Sequence, residues 1–150
     1  MIRRLHLSTG LVLIAYLLTH QLNLALGLVS LEAMAAGREI FLAIWRNLAG
    51  TVLLYGALLT HGGLALAAVY RRRRLTMPVW EATQLILGLA IPPLLALHIF
   101  GTRVANEFLD VNDTYIYILL IYFVFSPVLL FKQVLVTLVA WLHGCIGLHY

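Results

Sequence analysis

Apolar runs long enough to cross a bilayer follow one another along this chain, and each carries a histidine deep inside it: His20, His61, His98 and His143. A spanning helix needs about 20 mostly apolar residues. Lipid offers no hydrogen bonds, so the backbone there must satisfy itself, and runs of this length read as helices. Three qualify cleanly, over about 5–29, 47–70 and 79–104. The fourth is less sharply bounded, because residues 114–150 are almost uninterruptedly apolar. Ser126-Pro127 has the form of a helix start, with Ser as N-cap and Pro at the first helical position, which sets the fourth helix at about 127–150. Tyr115, Tyr117 and Tyr122 favour the headgroup level, so 115–125 is expected to lie along the membrane interface. One kinked helix from Asp113 onward is the rival reading. A split into two spans at Lys132-Gln133 is another, although nothing there resembles a turn.

Composition points the same way. Hydrophobic residues make up 63% of the chain and charged residues 11%, where a soluble domain is nearer to about half and a quarter. A signal peptide would explain one run, not four, and the first run has no small-residue cleavage site. The expected fold is all-α: one polytopic transmembrane helical bundle over 1–150, with four spanning helices and an interfacial segment before the fourth. Cys145 is the single cysteine, which excludes an intrachain disulfide and a cysteine-held cluster. The net charge of +4 is no nucleic-acid signal, because the basic residues sit between apolar spans, where they set topology. Arg3 and Arg4, with the run Arg71, Arg72, Arg73 and Arg74, place the N-terminus and the second interhelical loop on the cytoplasmic side. Glu32, Glu39, Glu107, Asp110 and Asp113 fall on the opposite side. The outer segment 30–46 reads as a loop containing Gly37 and other small residues. There is no sequence repeat and no low-complexity tract.

Ionisable groups inside a bilayer are costly, so each buried histidine is a functional-site hypothesis. A single one is more often a polar contact between helices. Four of them, one per helix, is the ligand count for two haems b, each iron held by two axial imidazoles. At 1.5 Å of rise per residue, His20 lies about 15 Å and His98 about 9 Å from the outer ends of their helices. His61 lies about 21 Å and His143 about 24 Å from theirs. The four therefore sort into an outer pair, His20 with His98, and an inner pair, His61 with His143. A macrocycle in a bundle core takes its ligands from facing helices.

Neighbouring residues fit the same reading. Gly62 and Gly63 follow His61, and Gly144 follows His143, where small residues allow close approach. Pro92-Pro93 precedes His98 and is expected to bend that helix and free backbone carbonyls. Haem propionates need cations or polar partners near the surfaces: Arg103, Arg46 and Lys132 on the outer side, and the run from Arg71 on the inner side. A ligating imidazole is neutral, and its second nitrogen needs an acceptor; Thr19, Thr60 and backbone carbonyls are candidates. His6, beside Arg3 and Arg4, reads as a solvated flank. His149 is about 120° round the helix from His143 and 9 Å along it, so the two cannot serve the same iron position. It is an alternative inner ligand or a contact to a propionate or a quinone. Trp80 and Glu81 are ordinary residues for the start of a helix at the interface.

The segments LLTHGGLALAAVYRRRR, MPVWEATQLILGLAIPPLLALHIFGTR and LVAWLHGCIGLHY carry a resemblance. They resemble the N-terminal membrane region of bacterial class III adenylate cyclases, which is related to the cytochrome b anchors of succinate dehydrogenase and fumarate reductase. HGG, IPPLLALH and WLHGCIGLHY are the most specific stretches, and the resemblance covers most of the chain. It implies haem b ligation at His20, His61, His98 and His143 and a bacterial inner membrane. It also implies a six-helix region that senses the redox state of the quinone pool and controls a cytoplasmic cyclase domain. The chain departs from that pattern by ending at Tyr150, before the last two helices, and is expected to be a fragment of a longer one. It holds no cyclase residues and no acid, base or nucleophile of a catalytic site.

Three functions follow as expectations. The first is a redox-sensing anchor that takes electrons from a respiratory quinone and signals to a cyclase domain, with a homodimer as the expected assembly. The second is the haem-bearing anchor of a succinate dehydrogenase or fumarate reductase, partnered by a dehydrogenase subunit. The third is a haem-free scaffold or transport module that uses the histidines as interhelical contacts or proton relays.

Overall fold

The computed structural model describes residues 1–72 and 76–149 and contains no strand among them. Arg73, Arg74 and Tyr150 lie outside the described residues. The chain divides into two compact units, Met1–Thr76 and Met77–Tyr150.

The first unit begins with α1, Ile2–Ala25, which tightens into a 3-10 turn over Leu26–Leu28. Next come α2, Leu31–Trp45, and α3, Leu48–Tyr70. The main packing is α1 against α3, and α2 packs on α1. The expected loop over 30–46 is thus mostly the helix α2. Ser30 starts it: the residue is extended, and its side chain accepts the Ala33 amide at 3.0 Å. Hydrogen bonds from its own backbone and from Ser30 hold the Glu32 carboxyl below the usual carboxylate range.

Asn47 caps α3 by accepting the Gly50 amide at 2.8 Å. The α2–α3 turn is so tight that a Cβ on Gly50 would run into the Ile44 carbonyl and lie 2.9 Å from Trp45 Cα. Both obstacles are backbone and cannot swing away. Gly50→Ala is expected to cost about 1–3 kcal/mol, the range of core overpacking, and to lower the Tm in detergent. Gly56→Ala, which meets nothing within 4 Å, should leave it unchanged. Equal Tm values for the two variants would refute the close approach.

The second unit begins with α4, Val79–Ile99, which runs through a wider π-type turn, Phe100–Val104, into α5, Ala105–Leu109. Together they form one apolar span, Val79–Leu109, longer at its C-terminal end than the 79–104 expected. It ends where Asp110 takes a left-handed conformation, φ 54°, which Asp tolerates better than most residues. Thr114 then caps the short helix α6, Tyr115–Leu119, which widens into a second π-type turn, Leu120–Phe125. Ser126 leaves helical geometry at φ −150°, ψ 79°, and Pro127 opens α7, Pro127–His149. The break falls where Ser126-Pro127 suggested, so 115–149 is not one continuous helix. The main packing of the unit is α4 against α7.

Four helices are long and apolar enough to cross a membrane: Ile2–Leu28, Leu48–Tyr70, Val79–Leu109 and Pro127–His149. Their surfaces carry large apolar side chains, such as Leu22 at 67% exposure, Leu59 at 74%, Ile86 at 65% and Phe131 at 75%. Such a surface is unfavourable in water by about 25 cal/mol per Å² and neutral in lipid. The protein is a membrane protein with an all-α fold.

Candidate functional site

Unit one seats His61 of α3 against the first turns of α1. Its Nδ1 lies 3.2 Å from the His6 carbonyl oxygen and 3.3 Å from Thr9 Oγ1. A carbonyl can only accept, so Nδ1 carries the proton and Nε2 carries the lone pair. The ring fits because α1 has Gly10 beneath it: a Cβ there would lie 3.2 Å from His61 Cε1. The His6 ring covers His61 with centroids 4.1 Å apart. His6 is therefore not the solvated flank expected; it is half-buried, and its Nε2 is enclosed with no hydrogen-bond partner among the described residues. The two rings are too close to hold a metal between them.

Unit two repeats this seat. His143 of α7 places Nδ1 3.1 Å from the Gln84 carbonyl oxygen of α4, so it too is an Nδ1–H tautomer. Gly88 lies beneath the ring, where a Cβ would come within 2.8 Å of His143 Cε1. The spacing of Gln84, Gly88 and His98 along α4 equals that of His6, Gly10 and His20 along α1. Of these three positions only the glycine and the second histidine are shared, and the other identities in the register are leucines, too common in apolar helices to mark a repeat. The repeat lies in the carbonyl, which every residue has, and in the gap above a glycine. Pro92 and Pro93 lack amide hydrogens, so the Gly88 and Leu89 carbonyls receive no donor from the next turn.

His20 and His98 have different surroundings. His20 lies in an aromatic cluster in unit one: it stacks on Tyr16 with centroids 5.8 Å apart and meets Phe41 at 5.4 Å. Tyr16 in turn meets the edge of Trp45, whose Nε1 donates to Thr19 Oγ1 at 3.1 Å. Thr19 thus accepts from Trp45. Thr60 lines a groove between α1 and α3 that Thr9 also lines. For His61 the hydroxyl partner is Thr9, a residue that the apolar pattern of the sequence hides.

In unit two, His98 Nδ1 lies 3.4 Å from the Tyr122 hydroxyl, which donates to Gln133 Oε1 at 3.3 Å. A phenol whose proton goes to Gln133 accepts from the ring, so His98 also fits the Nδ1–H tautomer. Tyr122, expected in an interface belt, is a partner of His98. All four histidines are half-buried.

Within each unit the two histidines lie at different depths. His61 meets α1 at residues 6–10, ten to fourteen positions before His20, which is about 15–21 Å along the axis. His143 meets α4 at 84–88, the same distance from His98. No two histidines of one unit can share one iron. Among the described residues no group of three or more His, Cys, Asp or Glu side chains gathers as a metal site.

Of the expected propionate partners, Arg103 pairs with Glu107 at 3.0 Å along its own helix, and Arg71 is exposed at the C-cap of α3. Arg46 follows α2 as its C-cap, and Lys132 lies in α7. Gly62 and Gly63 meet nothing within 4 Å, leaving that side of α3 open. His149 is exposed near the end of α7. No protein-family profile, curated protein or solved structure matches the chain.

Proposed function

We propose that the chain is a membrane-embedded di-haem b module, with His20, His61, His98 and His143 as axial ligands. One observation carries the reading: His61 and His143 occupy matching glycine-floored seats, and each has its Nδ1 proton held by a backbone carbonyl. That arrangement fixes the tautomer and directs the Nε2 lone pair away from the anchoring carbonyl, as a ligating imidazole requires. The glycine floor lets the ring come close enough to the neighbouring helix to make that bond. His98, through Tyr122 and Gln133, supports the same tautomer. Haem b, when bound, supplies one-electron chemistry. The chain's residues supply the ligands, the apolar surroundings and the hydrogen bonds that set ring orientation.

The resemblance to the cyclase anchors makes the module a redox sensor, reduced by a respiratory quinone, that regulates a cytoplasmic adenylate cyclase domain. In the dehydrogenase reading the same haems would carry electrons onward to a partner subunit. A reduced-minus-oxidised visible spectrum of the detergent-purified protein, with haem stoichiometry, tests the core of the proposal. A low-spin b-type spectrum with about two haems per chain is expected. A colourless protein from haem-replete cells would refute it. Co-purification with a flavoprotein and an iron–sulfur protein would favour the dehydrogenase anchor over the sensor.

A further inference from the structure

We propose that Thr9 tunes His61, so that the two matched histidine seats are built electronically unequal. Thr9 is among the few buried polar side chains of the described residues, at 9% exposure, three positions after His6 on α1. Its Oγ1 lies 2.9 Å from both the Leu5 and His6 carbonyl oxygens, so its single proton goes to the backbone of its own helix. That much is ordinary for a threonine in a membrane helix; Thr19, Thr102 and Thr137 bond back in the same way. What distinguishes Thr9 is the ring at its lone pairs. With its proton engaged, the hydroxyl can only accept from His61 Nδ1, 3.3 Å away. The Nδ1 proton of His61 thus lies between two acceptors, Thr9 Oγ1 and the His6 carbonyl. In unit two the position that matches Thr9 by spacing from Gly88 is Leu87, whose side chain has no acceptor.

A stronger acceptor at Nδ1–H makes the imidazole a better donor at Nε2. Better donation favours the more positive, oxidised iron and lowers its potential. The inference rests on the haem reading and goes beyond it, because it assigns the inequality to one hydroxyl. The order of potentials has a use: an electron entering the module settles on the site that Thr9 does not depress.

The test is a redox titration of wild type, Thr9→Val and Thr9→Ser in detergent, followed at the haem absorption bands. Val keeps the shape and removes the acceptor; Ser keeps the acceptor. In Thr9→Val one of the two midpoints is expected to rise, increasing the reduced-to-oxidised ratio at fixed poise about fivefold, the effect of one hydrogen bond. The affected haem should be the one lost in His61→Ala, and Thr9→Ser should titrate like wild type. A haem-loaded Thr9→Val with both midpoints unchanged, or with only the other one moved, would overturn the role of Thr9 and leave the haem reading standing. A wild type without haem would sink both together.

Discussion

Replacing any one of His20, His61, His98 and His143 with alanine is expected to remove one of two low-spin haem signals and spare the other. In the proposed module each imidazole would supply half of one iron's axial field. The groups around His61 include the His6 ring, tilted over it, a threonine hydroxyl and a carbonyl. Those around His143 include a carbonyl and a glycine. Haem content should therefore fall from about two per chain to about one in each variant. Variants that lose the same haem, judged by midpoint and by electron paramagnetic resonance, identify the ligands of one iron. His6→Ala and His149→Ala should each retain both signals. If all four alanine variants kept two low-spin haems, the ligands would lie elsewhere and the proposed function would fail.

How much of this was legible in the residues depends on what sets each feature. The four spans were, because a bilayer imposes a length and a polarity that composition alone reports. The break at Ser126-Pro127 was, because proline restricts the backbone locally. Helix α2 was missed, because its Ala- and Gly-containing start resembles a small-residue loop until Ser30 is recognised as its cap. The histidines stood out as ionisable groups in apolar runs. Their partners did not. Thr9, Tyr122 and Gln133 are unremarkable in sequence, and the carbonyls of His6 and Gln84 are invisible there, since every residue has one. The repeated seat shows why: it is specified by spacing between a carbonyl and a gap, and a gap is written only as glycine.

Filling that gap should be as damaging as removing the ligand. A Cβ on Gly88 would lie 2.8 Å from His143 Cε1 and 3.2 Å from its Nδ1, closer than carbon and nitrogen tolerate. Alanine already forces the ring to shift. Valine adds two methyl groups on a stiff χ1, so the ring must leave the Gln84 carbonyl altogether. The proton on Nδ1 then loses its acceptor, and Nε2 loses the orientation that ligation requires. Overpacking of this kind costs about 1–3 kcal/mol, which corresponds to about a five- to hundredfold loss in haem affinity. The seat in unit one is looser, with 3.2 Å from Gly10 to His61 Cε1 and 3.5 Å to Nδ1, so Gly10→Val should be milder. Gly56→Val also places valine in a spanning helix, but its Cβ meets nothing within 4 Å, and both haems should stay. Haem retention through detergent dialysis, measured beside helicity by circular dichroism, separates a lost seat from a lost fold. The expected order of loss is Gly88→Val, then Gly10→Val, then Gly56→Val, with helicity preserved in all three. Equal loss in all three would make valine itself the cause, and full retention in Gly88→Val would mean that the ring does not need its glycine floor to bind.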